Sequence, residues 1–74
     1  MTPDLLREAG QALYGASWQS DIARELEVSD RTVRRWLAGT RSLPATIAAD
    51  LDELCGERRA LLHAMQTRLR QAAA

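Results

Sequence analysis

Apolar residues recur along this chain at spacings of three and four, and nowhere alternate for long enough to make a strand. Leu5, Leu6, Ala9, Ala12 and Leu13 form the first stripe, which runs to about Tyr14. Thr2-Pro3-Asp4 opens it with a capping hydroxyl, a proline where the N–H is spare, and an acid near the positive helix end. Gly15 closes it as a C-cap, and Ala16 and Ser17 connect onward. Ile22, Ala23 and Leu26 predict a second helix over residues 19–26. Glu27 and Val28 turn the chain, and Ser29 caps a third helix that buries Val33, Trp36 and Leu37 and ends before Gly39. After a loop over 39–42, Leu43-Pro44 starts the next helix with proline in its first turn, and Ile47, Leu51 and Leu54 face the core. The period then continues through Arg58, Leu61, Met65 and Leu69 without a phase break. Gly56 lowers helix propensity there by about 1 kcal/mol, so the segment is either one long helix or two hinged at Gly56. The pattern predicts an all-α fold, a compact bundle of four to five helices with a long or hinged C-terminal helix.

The 74 residues make one small domain, a size that buries only about 60% of its unfolded surface. A helix continuous over 45–71 is about 40 Å long, more than so small a domain covers. Leu61, Leu62, Met65 and Leu69 then have no partner within the chain, and residues 56–71 are expected to form a dimer interface. The terminal Ala72-Ala73-Ala74 is expected to fray.

The net charge of zero does not suggest a nucleic-acid binder, but its distribution does. Arg31, Arg34, Arg35 and Arg41 fall close together with no acid among them, and Asp50, Asp52, Glu53 and Glu57 balance them further on. A local patch rather than the sum sets the field that a ligand meets. The third helix thus has an apolar back and an arginine front, the layout of a helix suited to a major groove. Arg31 and Arg35 share a face and repel by a few tenths of a kcal/mol. The alternative is a solvated face on which Glu27 pairs with Arg31 and Asp30 with Arg34.

The single cysteine, Cys55, is expected to be a small core residue. One His and one Cys supply neither a catalytic set nor zinc spacing, so no enzyme, metal, cofactor or small-molecule ligand is expected. The start has no basic region followed by a long apolar run, and no stretch reaches eighteen apolar residues, so a cytoplasmic protein without a membrane partner is expected. Trp36 is in phase with Val33 and belongs to the core. Trp18 either packs on Leu13 and Ile22 or lines an interface.

Gln19, Ile22, Ala23, Leu26, Val28, Ser29, Val33 and Trp36 resemble, in identity and spacing, the helix-turn-helix of lambda-repressor-like DNA-binding proteins of the Cro/repressor type. In this chain the motif covers residues 19–39. The family usually has Gly where Glu27 stands, a position that tends to need φ > 0. It often has a Ser or Thr cap where Trp18 stands, and Ser17 can cap one residue earlier. The resemblance implies a double-stranded DNA partner, with Ser29, Asp30, Arg31 and Arg35 facing bases. Arg31 and Arg35 suit guanine, and Asp30 suits cytosine N4. It places Gln19 on a phosphate at a helix N-terminus and brings Arg34, Thr40, Arg41 and Ser42 near the DNA backbone. For Arg41, a plain loop arginine stands beside the phosphate clamp. The implied function is a transcriptional regulator, a repressor binding a palindrome as a homodimer, with phage or mobile-element regulators as the analogy in size. A helical protein-interaction module using the C-terminal leucines is the alternative.

Overall fold

The computed structural model describes all residues 1–74, and they are all-α. The elements are α1 (Pro3–Tyr14), a single 3₁₀ turn (Gly15–Ser17), α2 (Trp18–Glu25), α3 (Asp30–Ala38) and α4 (Ile47–Ala73). The start of α1 is built as its sequence predicts. Thr2 Oγ1 accepts from the Leu5 N–H at 3.1 Å, and Pro3 occupies the first turn. Gly15, at φ 78°, ends the helix in a conformation that glycine takes without a Cβ penalty.

The turns after α2 and α3 are the same device. Val28 donates its N–H to the Ala23 carbonyl at 2.9 Å and Glu27 to that of Arg24 at 3.3 Å. Thr40 donates to Arg35 at 3.1 Å and Gly39 to Trp36 at 3.2 Å. Both are Schellman closures, in which one left-handed residue lets the chain fold back on the last carbonyls. Gly39 holds that position after α3 at φ 76°, and Glu27 holds it after α2 at φ 57°. Ser29 then opens α3, its Oγ accepting from the Thr32 N–H at 3.1 Å.

The core comprises Leu6, Leu13, Trp18, Ile22, Ala23, Val33, Trp36, Ile47 and Leu51, with Leu26, Val28, Leu37, Leu43 and Leu54 half-buried around it. Trp18 is core, not interface. Its ring lies so close to Gly10 that a Cβ there would come within 2.1 Å of it. Trp36 is equally buried, although its indole N–H has no partner.

Several expectations are corrected. The buried stripe of α1 is narrower than its sequence pattern, because Leu5 and Ala12 are exposed while Gly10 is buried. Ser17 precedes α2 but makes no side-chain cap, and the helix begins at Trp18 rather than Gln19. Pro44 is not in the first turn of α4. It lies in the approach, where its carbonyl accepts from the Ile47 N–H at 3.2 Å. Cys55 is exposed, because it lines an open groove beside Ala12 and Leu13 rather than the closed core. Gly56 is not a hinge, and the helix also includes Ala72 and Ala73.

Alpha4 gives the molecule its shape. It is 27 residues long, and only Ile47 and Leu51 are buried, with no residue beyond Leu54 even half-buried. The molecule extends 52 × 21 × 20 Å, a small body with a helical arm. No helix is long and apolar enough to cross a membrane.

Candidate nucleic-acid interface

Alpha3 has two faces. Val33 and Trp36 are buried against α1 and α2, and Arg31, Arg34 and Arg35 project from the other side, all exposed. Arg41 is exposed in the loop that follows. The same-spacing ion pairs that would neutralise this face are not formed. The ion pairs of the molecule are Arg7–Asp4 at 2.7 Å and Arg24–Asp21 at 3.2 Å, so Glu27 and Asp30 leave Arg31 and Arg34 free. The arginine face is unpartnered cation.

Asp30 is held elsewhere. Its Oδ2 accepts from Ser20 Oγ at 3.2 Å, a bond that ties the first turn of α2 to the first turn of α3. This brings Ser20 to the start of α3, and Gln19, its exposed neighbour in the chain, lies in the same first turn of α2. Ser20 was not identified by sequence reasoning. A serine in the first turn of a helix is a weak signal, and its partner lies ten positions away.

Two of the expected contact residues are committed locally. Ser29 Oγ accepts from the Thr32 N–H and shares a 3.0 Å hydrogen bond with Thr32 Oγ1. Thr40 Oγ1 donates to the Arg35 carbonyl at 3.3 Å. A hydroxyl has one proton, so Thr40 cannot donate to a phosphate while that bond holds. Arg41 and Ser42 are exposed donors of the same loop.

Apart from Asp30, α3 has no acid, and five acids gather elsewhere. Glu25, Glu27, Asp50, Glu53 and Glu57 surround a groove of about 310 Å³ where the end of α2 meets α4. Nearby, burial pushes the Tyr14 phenol above its usual range, Glu25 adds to the shift, and Arg58 opposes it. The Arg58 guanidinium lies 5.4 Å from the centroid of the Tyr14 ring. Leu61, Leu62, Met65 and Leu69 are exposed by 62, 58, 42 and 60% on the free part of α4.

No protein-family model, curated protein or solved structure matches the chain.

Proposed function

We propose that this protein is a sequence-specific, double-stranded DNA-binding transcriptional regulator, a repressor of the lambda-repressor-like helix-turn-helix kind that binds a palindromic operator as a homodimer. The observation that carries this reading is the exposed, unpaired arginine face of α3 opposite its buried Val33–Trp36 face. Arginines four apart on one face repel, and phosphates or guanine edges relieve that repulsion. On this reading α2, the 26–29 turn and α3 are the helix-turn-helix, and α3 enters the major groove. Arg31 and Arg35 read guanine, and Asp30, steadied by Ser20, accepts from cytosine N4. Ser29 keeps its cap and offers a remaining lone pair to a base edge. Gln19, Arg34, Arg41 and Ser42 hold phosphates, and Thr40 does so only if its bond to Arg35 opens. A single short helix reads few base pairs. Two related by a twofold axis read half-sites about 34 Å apart, or multiples of that. The setting is the cytoplasm, and by analogy of size a phage or other mobile element.

The test is titration of variants against operator and scrambled duplex at several salt concentrations, after selection of bound sites from random DNA. Arg35→Ala and Arg31→Ala should each cost about 1–3 kcal/mol on operator and much less on scrambled DNA. Arg41→Ala should weaken both alike and lower the salt slope by about one unit. Equal losses on both DNAs for Arg31→Ala and Arg35→Ala would sink the base-reading assignment.

The exposed apolar residues of α4 favour a second reading, a helical protein-interaction module in which the arginines are incidental. Salt separates the two. Counterion release makes DNA binding fall steeply with salt, whereas a leucine-driven interface changes little.

A further inference from the structure

Two acids stand four positions before arginines of α3, Glu27 before Arg31 and Asp30 before Arg34, the spacing at which helical ion pairs form. The structure forms neither pair. Glu27 is drawn off by the turn, since its backbone is left-handed and outside α3, and it lines the groove with Asp50 and Glu53. Asp30 lies within α3, about one turn from Arg34, and its side-chain partner is the Ser20 hydroxyl at 3.2 Å. We infer that Ser20 is a positioning residue that decides which partner Asp30 takes, and so keeps Arg34 free for a phosphate and Asp30 available to a base. This rests on the DNA-binding reading above for what the two groups meet. It deepens that reading by naming a residue off the reading helix that sets both.

Three observations carry it. The first is that the place of Ser20 does not depend on the bond it makes. Ile22 and Ala23 of α2 and Val33 and Trp36 of α3 are buried in one core. The Val28 N–H closes the turn between the helices on the Ala23 carbonyl at 2.9 Å. Removing one exposed hydroxyl therefore leaves both helices where they are and changes what Asp30 meets.

The second observation is that the neighbouring groups are already engaged. Asp21 and Arg24, on the helix of Ser20, pair with each other at 3.2 Å. Ser29 and Thr32, on either side of Asp30, share a 3.0 Å hydrogen bond. Arg34 is the unengaged cation at helical spacing from Asp30. The acid precedes the arginine, which is the order a helix favours for such a pair. Without the hydroxyl, Asp30 turns to Arg34.

The third is the count of protons. Ser20 has one hydroxyl proton and gives it to Asp30 Oδ2. While that bond holds, Ser20 cannot donate to a phosphate itself. Its effect on DNA binding passes through Asp30 and Arg34.

The first experiment uses the full chain without DNA. In nitrogen-15-labelled protein the Arg34 Nε–H resonance reports ion pairing through its rate of exchange with solvent. Ser20→Ala should slow that exchange roughly twofold, the scale of an exposed pair. Ser20→Thr, which keeps the hydroxyl, should leave it unchanged, and Asp30→Asn added to Ser20→Ala should restore it. An Arg34 resonance that ignores Ser20→Ala overturns the inference. The second experiment titrates the same variants against the selected operator at several salt concentrations. Ser20→Ala should lower the salt slope by about one unit, because one phosphate contact is withdrawn. It should also cut operator affinity about tenfold, with the loss concentrated at the base pair that Asp30 reads. Adding Asp30→Asn should restore the slope but not the base preference. A slope that stays low in the double variant would mean that Ser20 meets a phosphate directly, which also overturns the inference. If the unaltered chain binds no duplex, the DNA reading fails, and the arginine resonance still decides whether Ser20 sets the partner of Asp30.

Discussion

Glu27 and Gly10 show how much a single backbone position can carry. Glu27 adopts φ 57° in a closure whose twin after α3 uses Gly39. A left-handed residue with a Cβ is strained by about 1–2 kcal/mol, while glycine has more freedom to lose on folding. Glu27→Gly should therefore stabilise the protein by up to about 1 kcal/mol, raising Tm by several degrees in a thermal melt. An unchanged or lower Tm would mean that the Glu27 side chain offsets its own strain. Gly10 works in the opposite sense. Helix propensity alone favours alanine there by about 1 kcal/mol, but the added methyl would meet Trp18 ring atoms at 2.1 and 2.5 Å. Trp18 is part of the core and has no room to retreat, so Gly10→Ala should destabilise by about 1–3 kcal/mol in urea unfolding.

Among the elements, α4 differs from the others in what holds it. Helices α1, α2 and α3 are held by packing on one another, but α4 contributes Ile47 and Leu51 to the core and then continues alone. Beyond Leu54 its helicity rests on backbone hydrogen bonds and propensity, so the glycine within it matters more. Gly56 has a helical backbone with no heavy atom within 4 Å of an added Cβ. Gly56→Ala should raise helical content and stabilise by about 1 kcal/mol, the reverse of Gly10→Ala, as read by far-UV circular dichroism and urea unfolding. A loss of stability would show that the glycine bends the arm in solution.

For the molecule as a whole, a net charge of zero conceals segregation. Unpaired arginine covers one side of α3, and acids gather where α2 meets α4. The 52 Å length is likewise two parts, a body with the whole core and an arm with none of it. A chain ending at Arg59 should therefore keep the fold of the body and the Arg58–Tyr14 contact. On the proposed homodimeric reading association stabilises by mass action, so the Tm of the full chain should rise with protein concentration and that of the shortened chain should not. A shortened chain that fails to fold would show that the body is not independent of the arm.

The sequence by itself determined what neighbours along a chain can determine. Capping by Thr2 and Ser29, the stop at Gly39, the reversal at Glu27 and the two-faced character of α3 all depend on residues three to five positions apart, and all could be read before any fold was known. Burial could not, because it depends on whether another element covers a given face. The same helical period runs from Ile47 to Leu69, yet the body covers only its beginning, which leaves Cys55 exposed where the pattern placed it inside. Trp18 lies in the core because a glycine eight positions earlier makes space for its ring. Asp30 turns to Ser20 on another helix and leaves Arg34 unpaired, although Arg34 stands at ion-pairing distance along the chain. The chain specified its helices through local hydrogen bonds and spacing; packing between helices decided which side chains were covered, which were tied, and which were left free to meet a partner.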